Sequence, residues 1–228
     1  MINDDYTILP EDYNSYDISF KLLVLGDSGV GKSCITTKAT KNTFENYYSA
    51  TVGFEFHTFK IRIKGKDIRL QIWDTCGQET YRSLIHGFYR NASLAILVYS
   101  IDNLKSFENL GIWINDIKVN SNPDVKIFLI GNKNDLIEER EVPTEKAEQF
   151  KKDNNLIFFT ESSAKTGANI NNIFAEAANV LLEEYLRITK EKESSLSFTK
   201  ETDNSTNGKH EIDDNVTLGS RRKKGKCC

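Results

Sequence analysis

The sequence has no apolar stretch long enough to cross a membrane as a helix. Its longest strongly apolar run, LAILVY at 94–99, is far shorter than the roughly 20 residues that a membrane-spanning helix needs. The segment MINDDYTILPEDYNSYD at 1–17 is acidic and lacks the basic and apolar regions of a secretion signal. These two absences lead us to expect a protein that stays in the cytosol.

Cysteine and histidine are too scarce and too scattered to predict a disulfide framework or a zinc site. The cysteines at 34, 76, 227 and 228 form no C-x-x-C pair, and none of the three histidines clusters with them. The net charge of −3 gives no reason to expect nucleic-acid binding. With 39% hydrophobic residues, the chain can nevertheless bury a core.

Six segments read as strands, and helical patterns separate them. Four are continuous apolar runs typical of buried strands, while the other two alternate and flank Gly65-Lys66, a predicted hairpin turn. The segments are 20–25, 54–63, 67–74, 93–100, 125–132 and 156–163. Strands that alternate with helices predict an α/β fold with a mostly parallel six-stranded sheet, one antiparallel edge strand, and helices on both faces.

Composition divides the chain into three parts. Residues 1–17 are predicted to be a flexible acidic arm, and residues 18–188 a single globular domain. Residues 189–228 are polar and charged, with too few large apolar residues to offset the entropy of ordering, so we expect a disordered tail.

A glycine-rich segment follows the first globular strand and opens a helical pattern. It reads GDSGVGKS at 26–33 and matches G-x-x-x-x-G-K-[ST], in which backbone N–H groups and the helix N-terminus face phosphate oxygens. Lys32 is predicted to reach the β- and γ-phosphates, and Ser33 to offer a hydroxyl to Mg²⁺. The predicted nucleotide-binding residues of this segment are Gly26, Asp27, Ser28, Gly29, Val30, Gly31, Lys32, Ser33 and the adjoining Cys34.

The segment GNKNDL at 131–136 favours guanine over adenine. It ends a buried strand, at the edge where open α/β sheets bind ligands. The carboxylate of Asp135 can accept the two neighbouring N–H donors of guanine as a bidentate pair. Adenine would leave that carboxylate unpaired, and a buried polar group without its partner discriminates strongly against the wrong ligand.

Other residues near the same edge complete the predicted base site. Lys133 can lay its stem over the base, and Asn132 can tie its loop to the phosphate loop. The segment SSAK at 162–165 follows the next strand, and the N–H of Ala164 could serve the guanine O6. The predicted base-site residues are Asn132, Lys133, Asp135, Ser163, Ala164 and Lys165.

Three residues between these motifs suit phosphoryl transfer. Thr51 offers a second hydroxyl that could complete the Mg²⁺ shell when a γ-phosphate is bound, and Asp74 is placed to hold Mg²⁺ through water. Gln78 could orient the attacking water, because phosphoryl transfer depends mainly on positioning and electrostatics. We therefore predict Ser33, Thr51 and Asp74 as the metal site, and Gln78 and Lys32 as the catalytic residues.

With these residues in order, the chain resembles a small GTPase of the Ras superfamily, and within that superfamily a Rab. The resemblance covers about residues 18–188 and the C-terminus. It rests on GDSGVGKS, ATVGFEF, WDTCGQE, GNKNDL and SSAK, while YDISFKLLVL and FYRNA are typical of Rabs. It implies Mg²⁺ as cofactor, GTP hydrolysis to GDP, and a switch that regulates vesicle-mediated protein transport.

The resemblance also assigns residues and partners. Phe44 would pack near the guanine, the N–H of Gly77 would bond the γ-phosphate, and Phe56, Trp73 and Phe88 would form a hydrophobic patch beneath the two switch segments. The implied partners are an exchange factor, a GTPase-activating protein that supplies an arginine, effectors, an escort protein and a GDP-dissociation inhibitor, with the chain itself a monomer. The implied effector-binding residues are Tyr48, Ser49, Ala50, Thr51, Val52, Gly53, Phe54, Glu55 and Phe56.

Four positions carry residues that differ from those usual in Rabs. This chain has Cys76 where Rabs normally have Ala, and Thr80 where they have Arg. It has Ser100 in place of Asp and Asn91 in place of Gly. Cys76 is the sharpest departure and leaves three interpretations open. It is a tolerated small hydrophobic residue, or its bulk displaces Gln78 and slows hydrolysis, since shifts of ~1 Å can cost ~10²-fold in rate. In the third interpretation it is a redox sensor, which needs exposure and a lowered pKa.

The chain ends in RRKKGKCC, which matches the Rab pattern for double geranylgeranylation at Cys227 and Cys228. Stable anchoring needs two signals, such as two lipid chains or one chain and a basic patch, and each basic residue near an anionic leaflet adds ~1 kcal/mol. The alternative is a solvated basic tail with unmodified thiols. We expect a protein on the cytoplasmic face of a membrane, with a soluble cytosolic pool.

The sequence is also compatible with two other functions. One is a GTP-binding interaction module that barely hydrolyses its nucleotide because of Cys76 and Thr80. The other is a phosphate-loop kinase acting on a small metabolite, against which the N-K-x-D element and the terminal cysteines argue.

Overall fold

A computed structural model describes residues 6–44, 51, 53–76 and 87–202, with the backbone alone beyond residue 193. The described residues form one seven-stranded sheet. Its strands, numbered along the chain, are β1 (Tyr6–Ile8), β2 (Ile18–Leu25), β3 (Phe54–Ile63), β4 (Lys66–Thr75), β5 (Leu94–Ser100), β6 (Lys126–Asn132) and β7 (Phe158–Glu161).

The sheet confirms the predicted fold class. Across the sheet the strand order is β1-β3-β4-β2-β5-β6-β7. Strand β2 pairs in parallel with both β4 and β5, and β6 continues the parallel arrangement to β7. The predicted hairpin is formed by β3 and β4, which pair antiparallel from Phe54 opposite Thr75 to Ile63 opposite Lys66.

The sheet has seven strands rather than the six expected, because part of the N-terminal arm joins it. Strand β1 pairs antiparallel with the end of β3, with Tyr6 opposite Ile63 and Ile8 opposite Ile61. The arm is held further along by Tyr13, whose hydroxyl donates to the Asp67 carboxylate. Composition did not reveal this strand because three residues are too few to show a periodic pattern. Residues 1–5 of the arm lie outside the described part of the chain.

The helices are α1 (Lys32–Lys41), α2 (Leu104–Glu108), α3 (Leu110–Asn120), α4 (Thr144–Asp153) and α5 (Ile170–Thr202), with a 3₁₀ turn at Ile137–Glu139. No helix in the described ranges is long and apolar enough to cross a membrane. The chain forms one compact unit up to Tyr185 and a second unit from Leu186. Helix α5 extends to Thr202, so its last residues belong to the segment, 189–228, for which composition predicts disorder. Its Arg187 and Glu191 form an i,i+4 ion pair at 2.6 Å, and the tail from residue 203 lies outside the described part.

Helices cover both faces of the sheet, as predicted. Consecutive residues Leu22 to Leu25 of β2 are all fully buried, so each face of this strand is covered. On one face Leu23 and Leu25 belong to the same apolar cluster as Trp113 of α3. On the other face Phe59 of β3 contacts Phe174 of α5, with ring centroids 5.2 Å apart.

Candidate functional site

The side chain of Asn132, at the end of β6, connects the loops that the sequence assigns to phosphate and to base. Its amide nitrogen donates to the carbonyl of Val30 in the phosphate loop at 2.9 Å. Its Oδ1 accepts from the Ser162 hydroxyl at 3.4 Å and from the Ala164 N–H at 3.3 Å. Asn132 is only 2% exposed, so these contacts are shielded from water. The predicted tie between the two loops is confirmed.

The glycines of the phosphate loop are required by close approaches of neighbouring atoms. Gly26 has a φ of +139°, and a Cβ there would lie 2.1 Å from the Val98 carbonyl oxygen. Gly31 has a φ of +94°, and a Cβ there would lie 2.3 Å from Asn132 Nδ2. A side chain at either position would therefore break the packing of the loop as well as strain its backbone.

Lys32 begins α1 and points back into the phosphate loop. It is 5% exposed, and its Nζ donates to the carbonyls of Gly26 at 2.9 Å and Asp27 at 2.7 Å. Burial lowers the pKa of Lys32 to about 8, although the carboxylates of Asp74 and Asp27 oppose that shift. A largely desolvated ammonium that bonds no carboxylate within the described part of the chain is suited to an anionic ligand, since a buried charge is stabilised by pairing.

The three predicted metal ligands lie together. The hydroxyls of Ser33 and Thr51 are 2.7 Å apart, and the Ser33 hydroxyl also donates to Asp74 Oδ2. Asp74 is fully buried at the end of β4, and its Oδ1 has no hydrogen-bond partner among the described residues. Burial raises the pKa of Asp74 to about 6, against the hydrogen bond from Ser33 and the charge of Lys32.

This set of oxygens fits Mg²⁺. The ion prefers hard oxygen ligands, commonly one or two carboxylates together with substrate phosphates. Ser33, Thr51 and Asp74 would hold it, and it would neutralise charge on the β- and γ-phosphates during transfer. The buried Asp74 oxygen that lacks a hydrogen-bond donor is the observation behind this fit, because such an atom is costly unless a cation or a donor satisfies it.

The Asp135 carboxylate, which is predicted to read the base, is held by the segment that follows β7. Ser163 donates its hydroxyl to Asp135 Oδ1 at 2.6 Å, and Lys165 lies 3.7 Å from Asp135 Oδ2. The Asp135 side chain is 14% exposed. Two residues predicted to bind GTP, Ser163 and Lys165, therefore contact Asp135 and fix its orientation.

Lys133 has a partner that the sequence did not reveal. Its backbone is left-handed, with a φ of +65°, and its Nζ lies 3.3 Å from Asp102 Oδ2. Asp102 also accepts a hydrogen bond from the Ser100 hydroxyl. The carboxylate that Rabs normally carry at position 100 is thus replaced by a serine bonded to a carboxylate two residues later.

Asn91, which stands where Rabs normally have Gly, is accommodated by its backbone conformation. It has a φ of +61°, in the left-handed region where glycine is favoured and asparagine is tolerated better than most residues. The substitution of Asn for Gly therefore keeps the turn that precedes β5.

Cys76 follows β4 and is buried. It is 1% exposed, belongs to the same apolar cluster as Leu25 and Tyr89, and its backbone N–H donates to the Gly53 carbonyl at 3.0 Å. Burial argues against the redox-sensor interpretation, which needs an accessible thiol. Gly77, Gln78 and Thr80 lie outside the described residues, so their predicted roles stay predictions. Cys34 is half-buried in α1.

The predicted aromatic patch is present and has a fourth member. Trp73 lies 5.1 Å from Phe88 and 5.4 Å from Phe56, measured between ring centroids. Phe54 stacks on Trp73 at 5.3 Å and lies 4.4 Å from Phe88. We call these four residues the aromatic patch. Phe54 and Phe56 remain 44% and 51% exposed, which leaves an apolar surface open to solvent.

Of the remaining predicted residues, some have a described position and others do not. Phe44 is half-buried after α1, Gly53 has a φ of +78°, and Glu55 is exposed on β3. The other effector-region residues, Tyr48, Ser49, Ala50 and Val52, lie outside the described part of the chain, as do Cys227 and Cys228.

These features together define a phosphate-loop protein with a guanine-type base site. The family model for the Ras family matches residues 21–183. That span is well over half of the chain, and the chain belongs to the Ras family of small GTPases. The protein therefore binds guanine nucleotide and hydrolyses GTP. The family assignment also argues against the metabolite-kinase alternative.

The raised pKa of Asp74 predicts a pH-dependent affinity for Mg²⁺. Below about pH 6 a proton occupies Asp74 and must be displaced by the ion. The apparent Mg²⁺ affinity of the GDP-loaded protein should fall by up to about tenfold per unit as the pH decreases from 6 to 5. This affinity is measured by titration with Mg²⁺ at constant ionic strength, with the fluorescence of a bound GDP analogue as the signal. Asp74→Asn, which carries no titrating carboxylate, should bind weakly with a flatter profile, and parallel profiles for the two proteins would contradict the assignment.

Proposed function

We propose that the protein is a Rab-type GTPase that attaches to the cytoplasmic face of a membrane and regulates vesicle-mediated transport by binding effectors in its GTP-bound state. The aromatic patch carries this proposal. Its Trp73 neighbours the predicted metal ligand Asp74 along β4, with their side chains on opposite faces of the sheet. The patch also exposes two phenylalanines that no described residue covers completely. An open apolar surface of this kind is typical of a site for protein partners.

The proposed link between nucleotide and partner is the segment that carries Thr51 and two of the four residues of the aromatic patch. Thr51 is hydrogen-bonded to Ser33 in the predicted metal site, and Phe54 and Phe56 follow it within the same stretch of chain. A contact that depends on the γ-phosphate at Thr51 would therefore bias the position of the effector segment. Ordering of such segments by γ-phosphate and Mg²⁺ is an established form of molecular switch.

Hydrolysis is expected to be slow without a partner. Lys32 and the backbone of the phosphate loop stabilise charge on the transferred group, and Gln78 is proposed to orient the attacking water. The described residues around the site supply no arginine finger, and an arginine supplied in trans can raise turnover by ~10³–10⁵-fold. We propose that a GTPase-activating protein supplies it and that an exchange factor releases GDP.

The proposed membrane anchor is a pair of geranylgeranyl groups on Cys227 and Cys228. Two chains give stable attachment where one alone gives reversible binding, and the basic residues before them add attraction to anionic lipids. With both chains exposed, the protein would need an escort protein and a GDP-dissociation inhibitor to pass through the cytosol. The chain itself is proposed to act as a monomer.

Serine substitutions at the two terminal cysteines test the anchor. In cells that contain prenyl transferases, the native chain should fractionate with membranes and enter the detergent phase on cloud-point extraction. The double variant Cys227→Ser/Cys228→Ser should be found in the aqueous phase. Each single variant should partition between the two, because one chain gives only reversible attachment.

A second variant separates lipid anchoring from a solvated basic tail. Lys223→Gln/Lys224→Gln keeps both cysteines and removes two positive charges. It should still enter the detergent phase while it binds anionic vesicles more weakly. If the double serine variant fractionates as the native chain does, or if the glutamine variant alone abolishes detergent partition, the lipid anchor is wrong.

Substitution of Cys76 by alanine tests the alternative that this protein barely hydrolyses GTP. Because Cys76 is buried as a small apolar residue, single-turnover hydrolysis with Mg²⁺ should agree within about twofold between the native protein and Cys76→Ala. Release of a fluorescent GDP from the same samples should also agree. A clearly faster alanine variant would identify Cys76 as a brake and would favour a long-lived GTP-bound module.

A further inference from the structure

The carboxylate of Asp27, in the phosphate loop, is bound from outside the nucleotide site. Its Oδ2 accepts from the side-chain amide of Asn109 at 2.6 Å, and its Oδ1 accepts from the indole N–H of Trp113 at 2.8 Å. Both oxygens of Asp27 are therefore engaged by α3 and its N-cap residue. The sequence assigned Asp27 to nucleotide binding, whereas the structure directs its side chain to a helix on the sheet's face.

The main chain of Asp27 is held at the same time. Lys32 donates to the carbonyl of Asp27 at 2.7 Å and to that of Gly26 at 2.9 Å. Gly26 in turn lies against the Val98 carbonyl, so that even a Cβ would be 2.1 Å from its oxygen. The start of the loop is thus fixed on three sides, by β5, by Lys32, and by α3 through the Asp27 side chain.

The side chain of Asn109 is used for this contact and does not cap its own helix. Asn109 directly precedes α3, but its backbone is already helical, with a φ of −74° and a ψ of −9°, rather than in the extended conformation from which a side chain caps a helix. Here it makes no capping hydrogen bond, and its amide donates to Asp27. By contrast, Asn103 does cap α2, accepting from the Ser106 N–H at 3.0 Å.

Trp113 provides a rigid base for the second contact. It is fully buried within the apolar cluster that also contains Leu110 and Ile117. Its ring cannot move without disturbing the packing of α3, so the position of its N–H is set by the protein core. A hydrogen bond from so rigid a donor to a charged acceptor is directional and stronger than one between neutral groups.

We propose that Asn109 and Trp113 are positioning residues for the phosphate loop, which hold the Asp27 carboxylate so that the loop keeps its phosphate-binding curvature and releases nucleotide slowly. This inference uses the nucleotide binding of the family and is independent of the membrane-anchored cycle proposed above. Neither residue contacts the loop's ligand in this scheme, and each acts through Asp27. Their loss should therefore affect nucleotide retention more than overall stability.

The test measures release of a fluorescent GDP from full-length, Mg²⁺-loaded protein, together with its Tm. Trp113→Phe keeps a buried ring but removes the N–H, and Asn109→Ala removes the amide. Each should speed GDP release by about tenfold, because a hydrogen bond to a charged group contributes of the order of one such factor. The matched control is Asn120→Ala on the same helix, which removes an amide that donates to the Asp116 carbonyl at 2.8 Å. The control should release GDP at the native rate.

A double-mutant cycle with Asp27→Ala separates positioning from simple structural support. If Trp113 acts through Asp27, Trp113→Phe should change GDP release by less than about twofold in the Asp27→Ala background. If Trp113→Phe destabilises the fold, the half-exposed Asn109 carries the same cycle. Native release rates in Trp113→Phe and Asn109→Ala, or an equal acceleration with and without the Asp27 carboxylate, would overturn the inference.

Discussion

The hydrogen bonds of Asn132 are the constraint on which the rest of the site depends. One buried amide donates to the phosphate loop at Val30 and accepts from the segment after β7 through Ser162 and Ala164. Aspartate would lose the donor, and a longer side chain would collide with Gly31, whose α-carbon already faces Asn132 Nδ2 closely. The residue therefore sets the spacing between the phosphate loop and the loops that read the base. The position of Asn132 thus requires a glycine at position 31.

Burial of opposite charges prepares the site for its ligand. Lys32 and Asp74 are both largely removed from water, and desolvation moves their pKa values toward neutrality, to about 8 and about 6. A buried ammonium favours the binding of an anion, and a buried carboxylate favours the binding of a cation. Both groups are already desolvated in the folded protein, so ligand binding does not have to remove their water. The fold supplies this environment by placing Asp74 at the end of β4, and Lys32 at the start of α1, which follows the phosphate loop after the neighbouring parallel strand β2.

Much of this could be predicted from the sequence, since continuous apolar runs and glycine spacing reflect local requirements. All six predicted strands, the hairpin, the proximity of Ser33, Thr51 and Asp74, and the tie of Asn132 to the phosphate loop are found as expected. The Ala164 N–H, which was expected to serve guanine O6, lies 3.3 Å from Asn132 Oδ1. The pattern did not show β1, whose three residues depend on pairing with β3, nor the Asp102–Lys133 ion pair, which joins positions 31 residues apart. The motif assigns Asp27 to the nucleotide site but does not indicate that its side chain points to Asn109 and Trp113. Contacts of this kind depend on tertiary packing, and no local pattern encodes them.

The central claim is that Asp135 selects guanine at a site organised by Asn132, and competition between diphosphates tests it directly. GDP, IDP and ADP would compete for the Mg²⁺-loaded protein, since IDP keeps the N1–H of guanine and lacks only its 2-amino group. A carboxylate that accepts both donors should favour GDP over IDP by roughly 10- to 100-fold and over ADP by about 10⁴-fold or more. Asp135→Asn should remove most of this preference, whereas Asp153→Asn, an exposed control on α4, should retain it. ADP binding within tenfold of GDP in the native protein would contradict the account.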